Sequence, residues 1–196
     1  MNQGKLLWIV AIVVALGLFG WCKNTYNGMV SADEGVQSAW SQVENVYQRR
    51  ADLIPNLVAT VKGYAEHESG TLEAVVAARA KATQTTVDPS QLTAENIAKF
   101  QAAQGELGSA LGRLLVTVER YPDLKANQNF LELQAQLEGT ENRISTERMK
   151  FNETAKSYNT LIRSFPQNIM ASIFSFTPKG YFKAAEGSEN APKIEF

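Results

Sequence analysis

The chain opens with a run of seventeen apolar residues, from Leu6 to Cys22. At a rise of about 1.5 Å per residue, a helix of this length spans about 25 Å, slightly less than the ~30 Å hydrocarbon core of a bilayer. Trp8 and Trp21 lie near its two ends, where indole rings favour the membrane interface. The pattern predicts a single membrane-spanning anchor, marked by Leu6, Trp8, Trp21 and Cys22, with the lipid bilayer as its partner.

A cleaved signal peptide and a lipoprotein signal are the alternative interpretations of this segment. Signal peptidase requires small residues near its cleavage site, whereas this run ends on the bulky Phe19 and Trp21. A lipoprotein would be modified at Cys22, but such signals carry a small residue where this chain has Trp21. We therefore expect an uncleaved signal anchor over residues 1–30, with the span at about 6–22.

The orientation of the anchor depends on the basic residues beside it. Lys5 and Lys23 balance each other, and the α-amino group adds one charge on the N-terminal side. The prediction is a single-pass protein of the cell membrane, with a slight preference for an extracytoplasmic domain.

Beyond the anchor, apolar residues recur at helical spacing in long stripes. The first stripe repeats every seven residues, at Trp40, Tyr47, Ile54 and Val61. A parallel series carries Arg50 in its middle. Pro55 falls inside the stripe, but the phase is the same on both sides, so we expect one long, bent helix rather than two. That helix is expected to end at residues 66–70, with Gly70 as a C-cap.

Three further helices follow: a shorter one from Thr71, a third from about Thr93, and a fourth of about 38 residues. The fourth has apolar residues at heptad spacing, at Phe130, Leu137, Ile144, Phe151 and Tyr158. Gly105, Gly108 and Gly112 lie within the third helix, where close approach of a neighbouring helix would explain them; a kink is the alternative. The predicted fold is all-α, an N-terminal single transmembrane helix followed by an elongated antiparallel four-helix bundle over residues 31–166.

The remaining residues, 167–196, begin with a short apolar stretch from Ile169 to Phe176. Its spacing predicts a short amphipathic helix that folds back and caps the bundle. A surface that contacts a membrane or a partner is the alternative, because Phe, Ile and Met suit both. Residues 187–196 have little to bury and are expected to be mobile.

Charge and composition exclude several classes of function. The chain has 19 basic and 20 acidic residues, which disfavours a nucleic-acid-binding surface. Cys22 is the single cysteine, so no disulfide can form within the chain. His67 is the single histidine and has no partner at a catalytic or metal-binding spacing. We expect no metal site, no cofactor and no enzymatic activity.

Several charged residues fall at or near the apolar stripes, and buried charges must be paired. We expect Arg50, and with it Arg49, to pair with carboxylates from Glu119, Glu141 or Glu147. The predicted polar core layer comprises Arg49, Arg50, Glu119, Glu141, Arg143 and Glu147. Such a layer would fix the register of the helices; a ligand or partner site and a catalytic site are the alternatives.

Eight segments of the chain resemble the LemA family. They are YNGMV at 26–30, AWSQVE at 39–44, QRRADLIPNLV at 48–58, ERYPDLKAN at 119–127, LEGTENRI at 137–144, FNE at 151–153, YN at 158–159 and FP at 165–166. The resemblance extends over nearly the whole chain and implies a bacterial single-pass membrane protein with a helical-bundle domain. It implies no settled biochemical activity and supplies no catalytic residues.

These features predict a membrane-anchored scaffold or assembly module that acts through protein–protein contacts. Its expected partners are a second copy of itself or another membrane protein. A sensory or ligand-binding bundle that signals through a partner is the alternative, and a hydrolase is a third. Stable oligomers would favour the scaffold, whereas a retained small molecule would favour the ligand-binding bundle.

Overall fold

A computed structural model of the chain describes residues 3–184, and all regular structure in that range is helical. The helices are α1 (Gln3–Lys62), α2 (Ser69–Gln84), α3 (Ala94–Val118), α4 (Pro122–Lys125), α5 (Gln128–Arg163) and α6 (Gln167–Ile173). Single 3₁₀ turns precede α2 and α3, at Glu66–Glu68 and Pro89–Gln91. Residues 185–196, including the tail predicted to be mobile, lie outside the described part, as do the side chains of Lys5, Leu6 and Glu66.

The candidate membrane span and the first core helix are one continuous helix. α1 runs for 60 residues, which corresponds to about 90 Å at the standard rise. The apolar part near its N-terminus is long enough to cross a membrane, and none of it is buried against the rest of the protein. Burial begins at Met29 and continues through Val36 and Trp40. The predicted boundary between residues 30 and 31 therefore falls inside a helix.

Pro55 lies within α1, and the helix continues through it, so the alternative of a break is wrong. Proline has no N–H, which leaves the carbonyl oxygen four residues earlier, on Ala51, without its helical donor. In this structure Arg79 of α2 supplies that donor: its Nε lies 2.7 Å from the Ala51 oxygen. A side chain from a neighbouring helix thus replaces the hydrogen bond that the proline removes.

The end of α1 differs from the prediction. The helix ends at Lys62, and the backbone N–H groups of Tyr64 and Ala65 both bond to the Val61 oxygen at 3.0 Å. Gly70 lies in the first turn of α2 rather than at a helix end. The residues between carry no apolar stripe, and a helix end and a new helix start give the same polar pattern.

The long helices α1 and α5 run antiparallel along each other. Higher residue numbers on α5 pair with lower residue numbers on α1: Glu141 contacts Arg50, and Phe151 contacts Trp40. α2 and α3 pack together as a hairpin, and α2 also packs on α1. Two clusters of buried apolar residues result, one around Trp40 near the membrane end and one around Ile54 and Leu57 further away.

The three glycines of α3 do not mark a close helix approach. A Cβ atom added at Gly105, Gly108 or Gly112 would meet nothing within 4 Å, and all three lie on the exposed face of the helix. The expectation of tight packing there was wrong, because the buried face of α3 is formed by the larger residues on either side of the glycines.

After α6 the chain changes direction and continues without regular structure. Ser175 adopts a left-handed conformation with φ of 59°, and the Phe176 N–H bonds to the Ala171 oxygen at 2.9 Å. This pattern is typical of a Schellman helix end. We call residues 177–184 the C-terminal strap. It packs back along the helical domain, and its Phe182 belongs to the cluster around Trp40.

Candidate functional site

Arg50 is the buried centre of a polar group that joins the helices between the two apolar clusters. One guanidinium nitrogen lies 3.0 Å from Glu141 Oε2 on α5. The other donates to both oxygens of Gln104 on α3, at 3.1 Å to the backbone carbonyl and 2.8 Å to Oε1. The guanidinium also lies 5.1 Å from the ring centroid of Tyr47, within cation–π range. Its charge is therefore compensated from three sides.

Gln104 extends this group to a fourth helix. Its Nε2 donates to the backbone oxygen of Ala82 on α2 at 3.2 Å. One arginine and one glutamine thus link α1, α2, α3 and α5 at the same level. Thr140 lies buried on α5 beside Glu141, and its hydroxyl donates to the Gln136 oxygen of its own helix at 2.7 Å. We call Arg50, Gln104, Thr140 and Glu141 the polar layer.

This layer differs from the predicted one. Arg49 and Arg143 are exposed and form no ion pair within the described residues. Glu119 is exposed and pairs with Lys125, while Glu147 pairs with Lys150 on its own helix at 2.7 Å. The sequence interpretation placed all of these near the core, but a helix rotates by about 100° per residue, and Arg49, Glu119 and Arg143 are exposed. Glu147 is partly buried, with 20% of its side chain exposed, but it pairs with Lys150 rather than with Arg50.

Glu141 reaches the layer from its rim, with 62% of its side chain exposed. Gln104 is absent from the predicted layer, because that layer was chosen from charged residues alone. Its position did contain a signal, since it lies four residues after Phe100 and three before Leu107, on the buried face of α3. A polar residue at such a spacing predicts a buried hydrogen-bonding group.

The polar layer offers little room for a ligand. A cleft beside it, lined by Tyr47, Phe100 and Gln104 among others, measures about 90 Å³. Within the described residues, no three His, Cys, Asp or Glu side chains come close enough together to share a metal ion. The geometry of the layer suits alignment of helices.

The C-terminal strap is held by three side-chain amides that each grip one backbone residue at both its N–H and its C=O. Asn159 accepts from Lys179 N and donates to Lys179 O, both at 2.8 Å. Asn152 binds both backbone groups of Phe182 at 2.9 Å. Gln101 of α3 binds both groups of Lys183, at 3.0 and 3.1 Å. The strap therefore obtains from side chains the hydrogen bonds that a β-strand obtains from a neighbour.

Two strap side chains are buried as well. Phe182 stacks on Trp40 with ring centroids 5.8 Å apart and an interplanar angle of 11°. Lys179 is buried, and its Nζ lies 2.7 Å from Asp33 Oδ1 and 5.4 Å from the ring centroid of Tyr158. Burial, followed by the charge and hydrogen bond of Asp33, raises the pKa of Tyr158 to about 12.

The predicted anchor residues all lie on the N-terminal part of α1. Trp8 is exposed, as are the apolar residues from Leu7 to Phe19 that surround it. Trp21 is half as exposed as Trp8, and Cys22 is partly buried against the apolar cluster around Trp40. The side chain of Leu6 is not described. The packed domain thus begins at the point where the apolar run ends.

A model of the LemA family matches residues 39–196. The chain belongs to the LemA family. The resemblance seen in the sequence is thereby confirmed. The described residues are all-helical in their regular structure, and the long apolar N-terminal helix is a candidate membrane span.

Three relatives align with most of this LemA-family chain. Magnetosome protein MamQ of Magnetospirillum gryphiswaldense is 28% identical over 202 residues, covering 93% of this chain and 74% of the relative. Magnetosome protein MamQ 2 of Paramagnetospirillum magneticum is 26% identical over 194 residues, covering 90% and 71%. Protein LemA of Metamycoplasma hominis is 24% identical over 183 residues, covering 93% and 80%.

Several residues that carry the LemA resemblance have structural tasks here. Arg50 and Glu141 form the ion pair of the polar layer, and Asn152 and Asn159 hold the strap. Asn127 caps α5, because its Oδ1 accepts from Phe130 N at 3.0 Å. The motifs therefore lie where helices are joined, begun or covered.

Proposed function

We propose that this protein is a membrane-anchored helical scaffold or assembly module that acts through protein–protein contacts and self-associates. The observation that carries the proposal is the continuity of α1 from the apolar span into the domain core. No flexible linker separates the two, so the domain is held at a fixed height above the bilayer. We further propose that α1, α2, α3 and α5 form one elongated four-helix bundle.

A domain fixed in this way presents its sides to neighbours in the same membrane. Confinement to a membrane raises the effective concentration of these sides for one another, so weak contacts suffice for assembly. Exposed apolar residues are available on three helices: Val76 on α2, Val116 on α3 and Met149 on α5. Such a role requires no catalytic group, and we propose that the protein is not an enzyme.

The relatives support a role of this kind. The names of the MamQ proteins assign those relatives to the magnetosome. We propose that the present chain acts as a structural component of a larger assembly. The extracytoplasmic side of the cell membrane, slightly favoured by the flanking charges, belongs to the same proposal.

Two measurements on the full-length protein test self-association. In mild detergent, the protein mass per particle is measured by light scattering, and we expect a discrete multiple of the 21.6 kDa chain. In membranes, Cys22 is replaced by Ser and single cysteines are introduced by Met149→Cys or Val116→Cys. Oxidative cross-linking at one of these positions and not the other would identify the contacting face. Monomers in both measurements would contradict the proposal.

A ligand-binding role is the second candidate, favoured by an open groove of about 790 Å³ between α5 and the strap. Three basic side chains, Arg148, Lys156 and Lys183, line it together with Tyr181 and Glu153. Such a groove suits an anionic molecule. Native mass spectrometry of the full-length protein tests this role: a retained ligand that is lost in Lys156→Ala would favour it over the scaffold.

A further inference from the structure

We propose that the protein has a second membrane contact besides its spanning helix. It is formed by Phe165, Ile169, Ile173 and Phe174, which we call the membrane-proximal corner. Phe165 lies between α5 and α6, Ile169 and Ile173 lie on α6, and Phe174 follows it. The partner of this surface is the lipid interface on the side where α1 leaves the bilayer. The inference depends on the membrane anchor and is independent of self-association.

The antiparallel packing of α1 and α5 places the corner at the base of the domain. α5 runs towards the membrane, from the level of Arg50 to the level of Gly35, where Thr154 lies 3.8 Å from the position of an added Cβ. It ends at Arg163, and the chain then turns into α6. The Phe174 ring lies 4.8 Å from that of Tyr26, which fixes the height of the corner along α1.

This height falls within the headgroup region of a bilayer. Tyr26 lies four residues beyond Cys22, a distance of about 6 Å along the helix. The interfacial region on each side of the hydrocarbon core is about 5–8 Å thick. The apolar run, at about 25 Å, is also shorter than the ~30 Å core, which draws its flanking residues towards the lipid.

The corner is apolar where it is most exposed. The exposed fractions are 81% for Phe165, 65% for Ile173, 51% for Ile169 and 49% for Phe174. Ile169 and Ile173 are four residues apart and so share one face of α6, while Met170 and Ala171 are buried against the domain. α6 therefore has apolar residues on its buried face and on its exposed face. A helix that packs only against its own domain needs apolar residues on the buried face alone.

Charge distribution favours lipid over protein as the partner. Residues 164–178 contain no charged side chain, and the basic residues Arg163 and Lys23 flank the corner. An apolar surface with basic residues at its edge is typical of elements that lie in a membrane interface. The contact of Phe174 with Tyr26, one helical turn beyond the apolar run, points to the same partner, because a bilayer that covers the span also reaches this height.

Depth measurement in the full-length protein tests this inference. On a Cys22→Ser background, an environment-sensitive fluorophore is attached at Ile173→Cys or at the control Met149→Cys, and the protein is placed in nanodiscs with or without brominated lipids. Met149 is similarly exposed, but it lies on α5, about 21 Å from the membrane-proximal end of that helix at Arg163. With the corner about 5–10 Å into the interface, the label at residue 173 should lose roughly half of its fluorescence to bromine.

The control label at residue 149 should show no quenching. Equal quenching at the two positions, or none at either, would overturn the proposal. A blue-shifted but unquenched label at residue 173 would do so as well, because it would show that protein and not lipid covers the corner.

A second measurement avoids any substitution. The unaltered protein is irradiated in nanodiscs that contain a photoactivatable lipid, and the modified peptides are identified by mass spectrometry. We expect adducts on the peptide that carries Phe165 to Phe174 and none on the peptide that carries Met149. Adducts confined to α1 would contradict the second contact while leaving the anchor in place.

Discussion

Arg79 donates from Nε to the carbonyl oxygen of Ala51, the oxygen that Pro55 leaves without a helical partner. The distance is 2.7 Å, and Ala51 is buried, so water cannot readily replace this donor. The contact explains how a heptad stripe can continue through a proline. It also joins α2 to α1 at the level of the polar layer.

A double-mutant cycle tests this relationship. Arg79→Met should destabilise the domain by about 1–3 kcal/mol, because it leaves a buried acceptor unpaired. In a Pro55→Ala background the residue at 55 has its own N–H for the Ala51 oxygen, and the same change at Arg79 should then cost less. Urea unfolding of the full-length protein in mild detergent gives the four stabilities. Equal losses in the two backgrounds would show that Arg79 acts elsewhere.

Adjacent arginines provide a matched test of the polar layer. Arg50→Met should destabilise the domain by about 2–4 kcal/mol, since Gln104 Oε1 loses its donor inside the protein and the Gln104 carbonyl loses one of its donors. Arg49→Met removes the same charge from an exposed position and should cost less than about 0.5 kcal/mol. Glu141→Gln should cost less than about 1 kcal/mol, because this carboxylate is largely exposed. Similar losses for the two arginines would rule out a special role for Arg50.

The long helices could be predicted because each buries a repeating face. The stripe of α1 and the heptads of α5 depend on residues a few positions apart, and periodicity records such relationships directly. The end of α1 could not be predicted in this way. It depends on a turn that brings α2 back onto α1, and no repeating pattern marks that turn.

The C-terminal strap shows a stronger limit of sequence patterns. Asn152 and Asn159 bind backbone groups of Phe182 and Lys179, which lie 30 and 20 residues away and can belong to any residue type. The side-chain pattern of the strap therefore does not predict which residues bind it. The pairing of Arg50 with another helix could be expected from its place in a stripe, but Gln104 could be assigned only once the position of α3 was known.

The grip of Asn159 on the strap predicts a measurable loss of stability. Asn159→Asp keeps the acceptor for Lys179 N but removes the donor to Lys179 O, inside the protein. We expect a loss of about 1–3 kcal/mol and faster proteolytic removal of the strap. Asn142→Asp, on the exposed face of the same helix, is the matched control and should change neither. An unaltered strap in Asn159→Asp would mean that Asn152, Gln101 and the burial of Phe182 hold it without Asn159.

Gly180 permits the strap to approach the start of α3. A Cβ atom there would lie 2.6 Å from Ala94 Cα and 2.7 Å from Ala94 N, and backbone atoms cannot move aside as a side chain can. Gly180→Ala should therefore weaken the Gly180 N–H bond to the Leu92 oxygen, now 2.8 Å, and lower the unfolding midpoint. Gly108→Ala is the control of opposite sign, expected to stabilise α3 by about 0.5–1 kcal/mol because its exposed helical position is open. A gain in both variants would disprove close contact at Gly180.

Tyr158 predicts how stability depends on alkaline pH. Its folded-state pKa is raised from the ordinary 10.0 to about 12, first by burial and then by Asp33. The neutral phenol is therefore favoured in the folded protein, and its contribution is fully present below pH 10. Between pH 10 and 12 the unfolded chain releases a proton that the folded chain retains, so this contribution is lost as the pH rises. Tyr158→Phe should show a shallower loss of stability across that range.

Phenolate absorbance measures the same titration directly. The difference between the wild-type and Tyr158→Phe titrations isolates this one tyrosine, whose midpoint we expect at about 12. Asp33→Asn removes the second cause while burial remains, so the midpoint should fall part of the way towards 10.0. A midpoint at 10.0 in the wild-type protein would mean that water reaches the phenol, and that the strap does not close over Tyr158 in solution.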